Sequence, residues 1–150
     1  EGDTGLPDDD FDVCDVVREE VDKARLLLAG KPIEIRCVQE QAFHLHAPAR
    51  VLSVLLGNLL RNACHYTEQG FIRLTLNDNG FVVEDSGVGI PEEKREAMFQ
   101  PFVRGNEKRG EGLGLGLSLV QRICENQGWE VTLSTMEPNG CRFEVTLGLR

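Results

Sequence analysis

The sequence predicts a two-layer α/β sandwich, with a mixed sheet of about five strands and about three helices on one face. Three observations support this. Segments of strand-like alternation and segments of helical spacing follow one another along the whole chain. Two Asn-Gly turns, Asn79-Gly80 and Asn139-Gly140, each stand between strand-like runs. The apolar fraction, 41% of 150 residues, suffices for one core. It contains no run near the ~18 residues that a membrane span requires.

Residues 1–10, with Gly2, Gly5, Pro7 and the run Asp8-Asp9-Asp10, read as a linker from an upstream domain, and the folded body is expected over 11–150. A short strand is expected at 11–15. A helix follows at 16–29, with Val17, Val21, Ala24, Leu27 and Leu28 on one stripe and Gly30 and Pro32 beyond its end. At 33–37 apolar and polar residues alternate, giving a strand with Ile33, Ile35 and Cys37 inward. Its expected partner is 42–45. Pro48 suits a first helical position, and 49–66 reads as the longest helix, closed by Gly70. Strands at 71–76 and 81–84 flank Asn77-Asp78-Asn79-Gly80 as a hairpin. A tight turn at 87–91 and a short helix to about 98 come next. Residues 99–113 show no periodicity and read as a long loop, the kind of segment that often serves as a lid. A helix beginning near Leu115 runs to Gly128, and strands at 129–135 and 142–147 form a last hairpin.

The formal net charge of −9 is unevenly spread, because Glu1, Asp3, Asp8, Asp9, Asp10 and Asp12 occupy the first twelve residues without a base. The remaining body, near −3, does not suit a protein that coats nucleic acid. It is compatible with a nucleotide held by a metal ion and a few directed donors. The acidic start also does not suit a signal peptide. Five scattered cysteines, never spaced C-x-x-C, read as buried free thiols rather than zinc ligands or disulfides.

Chemistry concentrates in four places. Asn58 and Asn62 stand four residues apart on one face of the longest helix, with His65 and Tyr66 a turn later. Asparagine is a poor helix-interior residue, so a pair bordering the apolar side suggests amides aimed into a pocket. A solvated edge explains the pair equally well on spacing alone. At 85–90, Asp85 at a strand end precedes Gly87 and Gly89: the carboxylate could accept from an exocyclic amine while the bare turn admits a flat ring. An ordinary Asp-containing turn is the simpler explanation there. In Phe99-Gln100-Pro101-Phe102-Val103-Arg104 the aromatics read as core, leaving Arg104, Lys108 and Arg109 to reach phosphate oxygens or solvent. Finally, Gly110, Gly112 and Gly114 alternate with other residues ahead of a helix. Backbone without Cβ atoms, next to the positive end of a helix dipole, suits phosphate.

In their order and spacing these stretches resemble the N, G1, F and G2 boxes of sensor histidine kinases: Asn-Leu-Leu-Arg-Asn-Ala-Cys-His-Tyr-Thr at 58–67, Asp-Ser-Gly-Val-Gly-Ile at 85–90, Phe-Gln-Pro-Phe at 99–102 and Gly-Glu-Gly-Leu-Gly-Leu at 110–115. The resemblance covers roughly 11–149. It implies the ATP-binding catalytic domain of a two-component kinase, with the Bergerat fold shared with gyrase-type and heat-shock-chaperone-type ATPases. It implies ATP and Mg²⁺ as cofactors, with Asn62 as metal ligand and Asn58 beside it. Tyr66 would pack on adenine, and His65 would stand where the family usually carries Lys or Arg, so that its charge depends on pH. Asp85 would accept the adenine amino group, with Gly87 and Gly89 making room. Gly110, Gly112 and Gly114 would approach the phosphates and Arg104 the γ-phosphate; Ile90, Leu113 and Leu115 complete the implied nucleotide contacts. Glu111 departs from the family's usual Thr, Ser or His, and the lid is short.

The implied partners are an upstream dimerisation domain that carries the acceptor histidine, and a response regulator. An isolated monomer, a homodimeric parent and a cytoplasmic domain of an inner-membrane protein are expected. His44, His46 and His65 lack the sequence context of the acceptor; His44 and His46 read as a strand-to-helix connection. Rivals are a gyrase- or chaperone-like ATPase, an anti-sigma-type serine kinase and a non-catalytic nucleotide-sensing module. The first is disfavoured because Asn58 stands where those ATPases carry a glutamate to activate water.

Overall fold

The structure, a computed structural model, describes residues 8–39, 44–77, 79–87, 113–135 and 140–147. Strand β1 (Asp9–Asp12) leads directly into helix α1 (Val13–Leu27), and β2 (Ile33–Gln39) and β3 (His44–Ala47) precede α2 (Ala49–Tyr66). Then come β4 (Gly70–Leu76), β5 (Gly80–Asp85), α3 (Leu113–Gln127), β6 (Glu130–Thr135) and β7 (Cys141–Thr146). Five strands form a mixed sheet in the order β2-β4-β5-β7-β6, parallel between β2 and β4 and antiparallel elsewhere. Helix α2 packs between α1 and α3 and against β5, with α1 over β2 and α3 over β6. The described residues form the expected two-layer sandwich of a five-stranded mixed sheet and three helices, with two further strands, β1 and β3, outside that sheet.

Helix α1 starts where Asp12 caps it, its carboxylate accepting from Cys14 N–H at 2.9 Å. That bond holds the Asp12 carboxyl below its ordinary value. The helix therefore begins three residues before the expected position, and Asp9 and Asp10 belong to β1. Val17, Val21, Ala24 and Leu28 are buried as expected, but Leu27 is 53% exposed. At 3.6 residues per turn, Leu27 lies about 80° off the stripe that starts at Val17. Glu20 is buried instead, its carboxylate taking bonds from Ser53 Oγ (2.6 Å) and Lys23 Nζ (3.1 Å). Cys37 is likewise exposed, because β2 is an edge strand covered on one side only. The other four thiols are buried, and burial pushes Cys124 up to about 12, far from the reactive thiolate.

The expected pairing of 42–45 with 33–37 does not occur. Strand β3 pairs with β1 in a separate two-stranded ribbon, and β2 pairs with β4. With a long helix between them, β2 and β4 form a parallel crossover unit, the connection such a helix favours. His44 and His46 thus lie on a strand, both exposed. Pro48 is the N-cap of α2 rather than its first residue, its carbonyl accepting from Val51 N–H at 3.0 Å.

In the ribbon His46 faces Asp10 across the strands, with Nδ1 2.6 Å from a carboxylate oxygen and Nε2 3.7 Å from Asp8. The Asp10 hydrogen bond and charge raise His46 above its ordinary 6.5, with Asp8 and Asp9 adding to the effect. A raised histidine stabilises fully below 6.5, and the contribution is lost as pH climbs through its folded value. Amide exchange of residues 9–12, corrected for intrinsic rates, should therefore accelerate across that window, and His46→Gln should remove the step.

Candidate nucleotide site

Helix α2 is buried along most of its length. Leu52, Leu55, Leu56, Leu59 and Leu60 are all at most 1% exposed. Each fully buried leucine contributes roughly 1.5–3 kcal/mol, enough in sum to carry an unfavourable polar residue on the same helix. That residue is Asn62. It is 1% exposed, and neither its Oδ1 nor its Nδ2 meets a hydrogen-bond partner. A buried polar group left in this state costs about 1–3 kcal/mol, so stability of the fold does not explain the residue. An amide oxygen without a partner is the kind of donor that a hard cation such as Mg²⁺ accepts alongside water and phosphate oxygens.

Asn58, on the same stripe with Val51 and Leu55, is half-buried. Its amide nitrogen donates to Val54 O at 2.8 Å and its oxygen accepts from Arg61 at 3.2 Å. The two asparagines expected to act together therefore differ: one is engaged along its own helix, the other is buried without a partner. His65 is exposed near the end of α2, and Tyr66 is its last residue; the Tyr66 side chain lies outside the described residues.

One residue further on, Thr67 turns out of the helix, its N–H bonded to Ala63 O at 3.1 Å. It is 1% exposed and its hydroxyl lacks a partner at hydrogen-bond geometry. It nevertheless lies close enough to the Asp85 carboxyl to favour its charged form. Asp85 ends β5 and is 2% exposed, with Oδ1 accepting from Gly87 N–H at 2.9 Å and Cys141 N–H at 3.4 Å. Burial pushes this carboxyl up from its ordinary 3.8, and the two N–H groups and the Thr67 hydroxyl pull it part of the way back. Thr67, just past the end of α2, thus stands beside the buried Asp85 at the end of β5, and the unsatisfied amide of Asn62 lies five residues back on the same helix, which packs on β5.

Thr67 and Cys141 were not singled out as site residues on sequence grounds. Thr67 closes the first motif but is a single residue without periodicity, and Cys141 acts through its backbone. Helix α3 begins at Leu113, two residues before the expected start, so Gly114 and Leu115 fall in its first turn, where backbone N–H groups have no helical partner. The side chains of Leu113 and Leu115 lie outside the described residues. So do Gly89, Ile90, the expected short helix to about 98, Phe99, Phe102, Arg104, Lys108, Arg109, Gly110, Glu111 and Gly112. Among the described residues no group of three or more His, Cys, Asp or Glu could hold a metal ion. A cation here would accordingly depend on Asn62 and on oxygens of its own ligand and water.

Both buried groups should cost the fold stability. Asn62→Leu should raise the free energy of unfolding by about 1–2 kcal/mol, read from denaturant melts, since it removes two buried polar atoms that meet no partner. Asp85→Asn keeps an oxygen for both N–H donors. A carboxyl whose pKa is raised on folding opposes folding most above its folded value and not at all below 3.8. The variant should therefore melt later than the parent at neutral pH, with the gain fading as pH falls towards 3.8.

Comparisons with known proteins identify the family and the fold. Residues 47–150 match the model of the family described as histidine kinase-, DNA gyrase B-, and HSP90-like ATPase. The sensor proteins TorS and RstB of Escherichia coli K12 are 35% and 41% identical over 127 and 108 residues, covering 81% and 70% of this chain. The chain spans only 14% of TorS and 25% of RstB. Among solved structures, the nucleotide-free catalytic domain of histidine kinase ThkA is 26% identical, with TM-score 0.83 and 95% of each chain covered. Full-length ShkA in complex with AMPPNP shares the fold, with TM-score 0.82 at 24% identity over 97% of this chain and 32% of that one. The chain belongs to the family of histidine kinase-, DNA gyrase B- and HSP90-like ATPases, and the relatives it resembles include sensor proteins and the catalytic domain of a histidine kinase.

Proposed function

We propose that this chain, over 11–150, binds Mg²⁺-ATP and presents the γ-phosphate to a histidine on a separate dimerisation domain, for relay to a response regulator. The observation that carries the reading is Asn62, an amide buried at a cost to the fold and left without a partner. Its oxygen suits Mg²⁺, and Asp85, backed by Thr67, suits the amino group of a purine. Bound Mg²⁺ supplies neutralisation of the triphosphate's charge.

In this reading the chain's own residues position and do not activate. Asn58 and Asn62 line the metal side, His65 at the end of α2 stands towards the phosphates, and by the resemblance Tyr66 is assigned to the adenine. Gly87 leaves room for the ring, and by the resemblance Gly89 and Ile90 are assigned to the same contact. The first turn of α3, from Leu113 to Leu115, supplies N–H groups suited to phosphate oxygens, and by the resemblance Gly110, Gly112 and Arg104 are assigned to the phosphates as well. Neither Asn58 nor Asn62 can take a proton from water, and this favours transfer to a partner over hydrolysis. The residues ahead of β1 serve as the link to an upstream domain, and the intact kinase is a homodimer facing the cytoplasm from the inner membrane.

Millimolar Mg²⁺-ATP should raise the melting temperature of the parent by several degrees, while Asn62→Ala and Asp85→Asn should abolish the shift whatever they do to the unliganded protein. An unshifted parent overturns the reading. With the parent protein's dimerisation domain supplied, labelled phosphate should appear in an acid-labile, alkali-stable form; an acid-stable product would indicate a serine acceptor instead.

A further inference from the structure

We infer that Gly70 and Gly140, which lie 70 positions apart and flank β5 on either side, are positioning residues that clamp Asp85 in place. The inference rests on the proposed nucleotide reading and adds a specificity device to it. Strand β5 leaves the sheet through Asp85, Ser86 and Gly87, between the start of β4 and the start of β7. On the β7 side, a Cβ at Gly140 would overlap the Asp85 carbonyl oxygen and lie 3.2 Å from Ser86 Cα. On the β4 side, a Cβ at Gly70 would overlap Ser86 Oγ. Both glycines hold φ in the region L-residues avoid, +118° and +120°. At Gly140 close approach to backbone and backbone conformation each demand glycine; at Gly70 the conformation demands it, and a Cβ would in addition push Ser86 Oγ from its bond with Phe71.

The close approach lets neighbouring strands bond the exit segment directly. Phe71 N–H donates to Ser86 Oγ at 2.9 Å and Ser86 N–H to Phe71 O at 3.0 Å. Next to Gly140, Cys141 N–H reaches Asp85 Oδ1, the same oxygen that Gly87 N–H holds. Two donors on one carboxylate oxygen fix the side chain's rotation and leave Oδ2, which receives neither of them, to meet a ligand's amine. They also favour the ionised form, against the burial that raises this carboxyl's pKa. A glycine that only ended a strand would need none of this registry with Asp85.

The discriminating ligand is inosine triphosphate, which carries the same phosphates as ATP without the exocyclic amine. The parent should prefer ATP. In Gly140→Ala the displaced Asp85 should reduce that preference by roughly tenfold to a hundredfold, the scale of one hydrogen bond to a charged group, with Gly70→Ala in the same direction. An equal loss of both affinities, leaving the ratio intact, overturns the clamp. Should both variants fail to fold, the parent decides by amide resonances: Cys141 and Gly87 N–H shifts should titrate together with the Asp85 carboxyl. A flat Cys141 profile overturns the inference. A parent that binds neither triphosphate sinks the proposed function, while the amide titration still judges the clamp.

Discussion

Burial without hydrogen bonding is the constraint on which this molecule turns. Asn62, Thr67 and Asp85 sit between 1% and 2% exposed, and two of the three have polar atoms that meet no partner. At about 1–3 kcal/mol for each unsatisfied group, the sum is a large part of the ~5–15 kcal/mol that holds an average domain together. Such a site persists only if the rest of the fold outweighs it. The leucine face of α2, the central element of the helix layer, supplies that excess where it is needed, on the helix that bears Asn62 and leads into Thr67. The apolar core and the polar site are therefore one design: the packing fixes the amide where a shell of water cannot satisfy it.

Asp85 meets the same constraint differently. It is not left unpaired; it is held by backbone donors from two directions, so its burial is partly compensated. The compensation goes to one oxygen. A carboxylate in that state is rigid and still an acceptor, which a freely hydrated aspartate in a turn would not be. Rigidity of this kind comes from the sheet, since Cys141 reaches Asp85 only because β7 is registered against β5.

How far the sequence revealed this depends on whether the signal is local. The leucines of α2 and the two asparagines recur at helical spacing, so their shared face was legible, as were the hairpin at Asn79-Gly80 and the last hairpin. What periodicity could not separate is Asn58 from Asn62. Both lie on one stripe, yet one bonds its own helix and Arg61 while the other is sealed in. That difference depends on what packs above each residue. The partner of β3 was misread for a related reason: adjacency in sequence suggested a hairpin with β2, and the crossover through α2 gives β2 to β4 instead. Leu27 missed the core by a fraction of a turn, a margin that a count of apolar residues does not resolve.

The least legible feature is the one that most sharpens the site. Gly70 read as the end of a helix and Gly140 as half of a turn, and both descriptions are locally correct. Neither position carries a side chain whose chemistry could be noticed, and their common neighbour, the exit of β5, exists only after three strands have been aligned. Local rules therefore explain why glycine is tolerated there, and only the assembled sheet shows that the chain takes a positive φ at both positions and, at Gly140, presses against Asp85. The recognition of a purine amine, if it resides in Asp85, then depends on two residues that could never touch the ligand with a side chain, and loss of specificity without loss of phosphate binding becomes the signature of damage at either one.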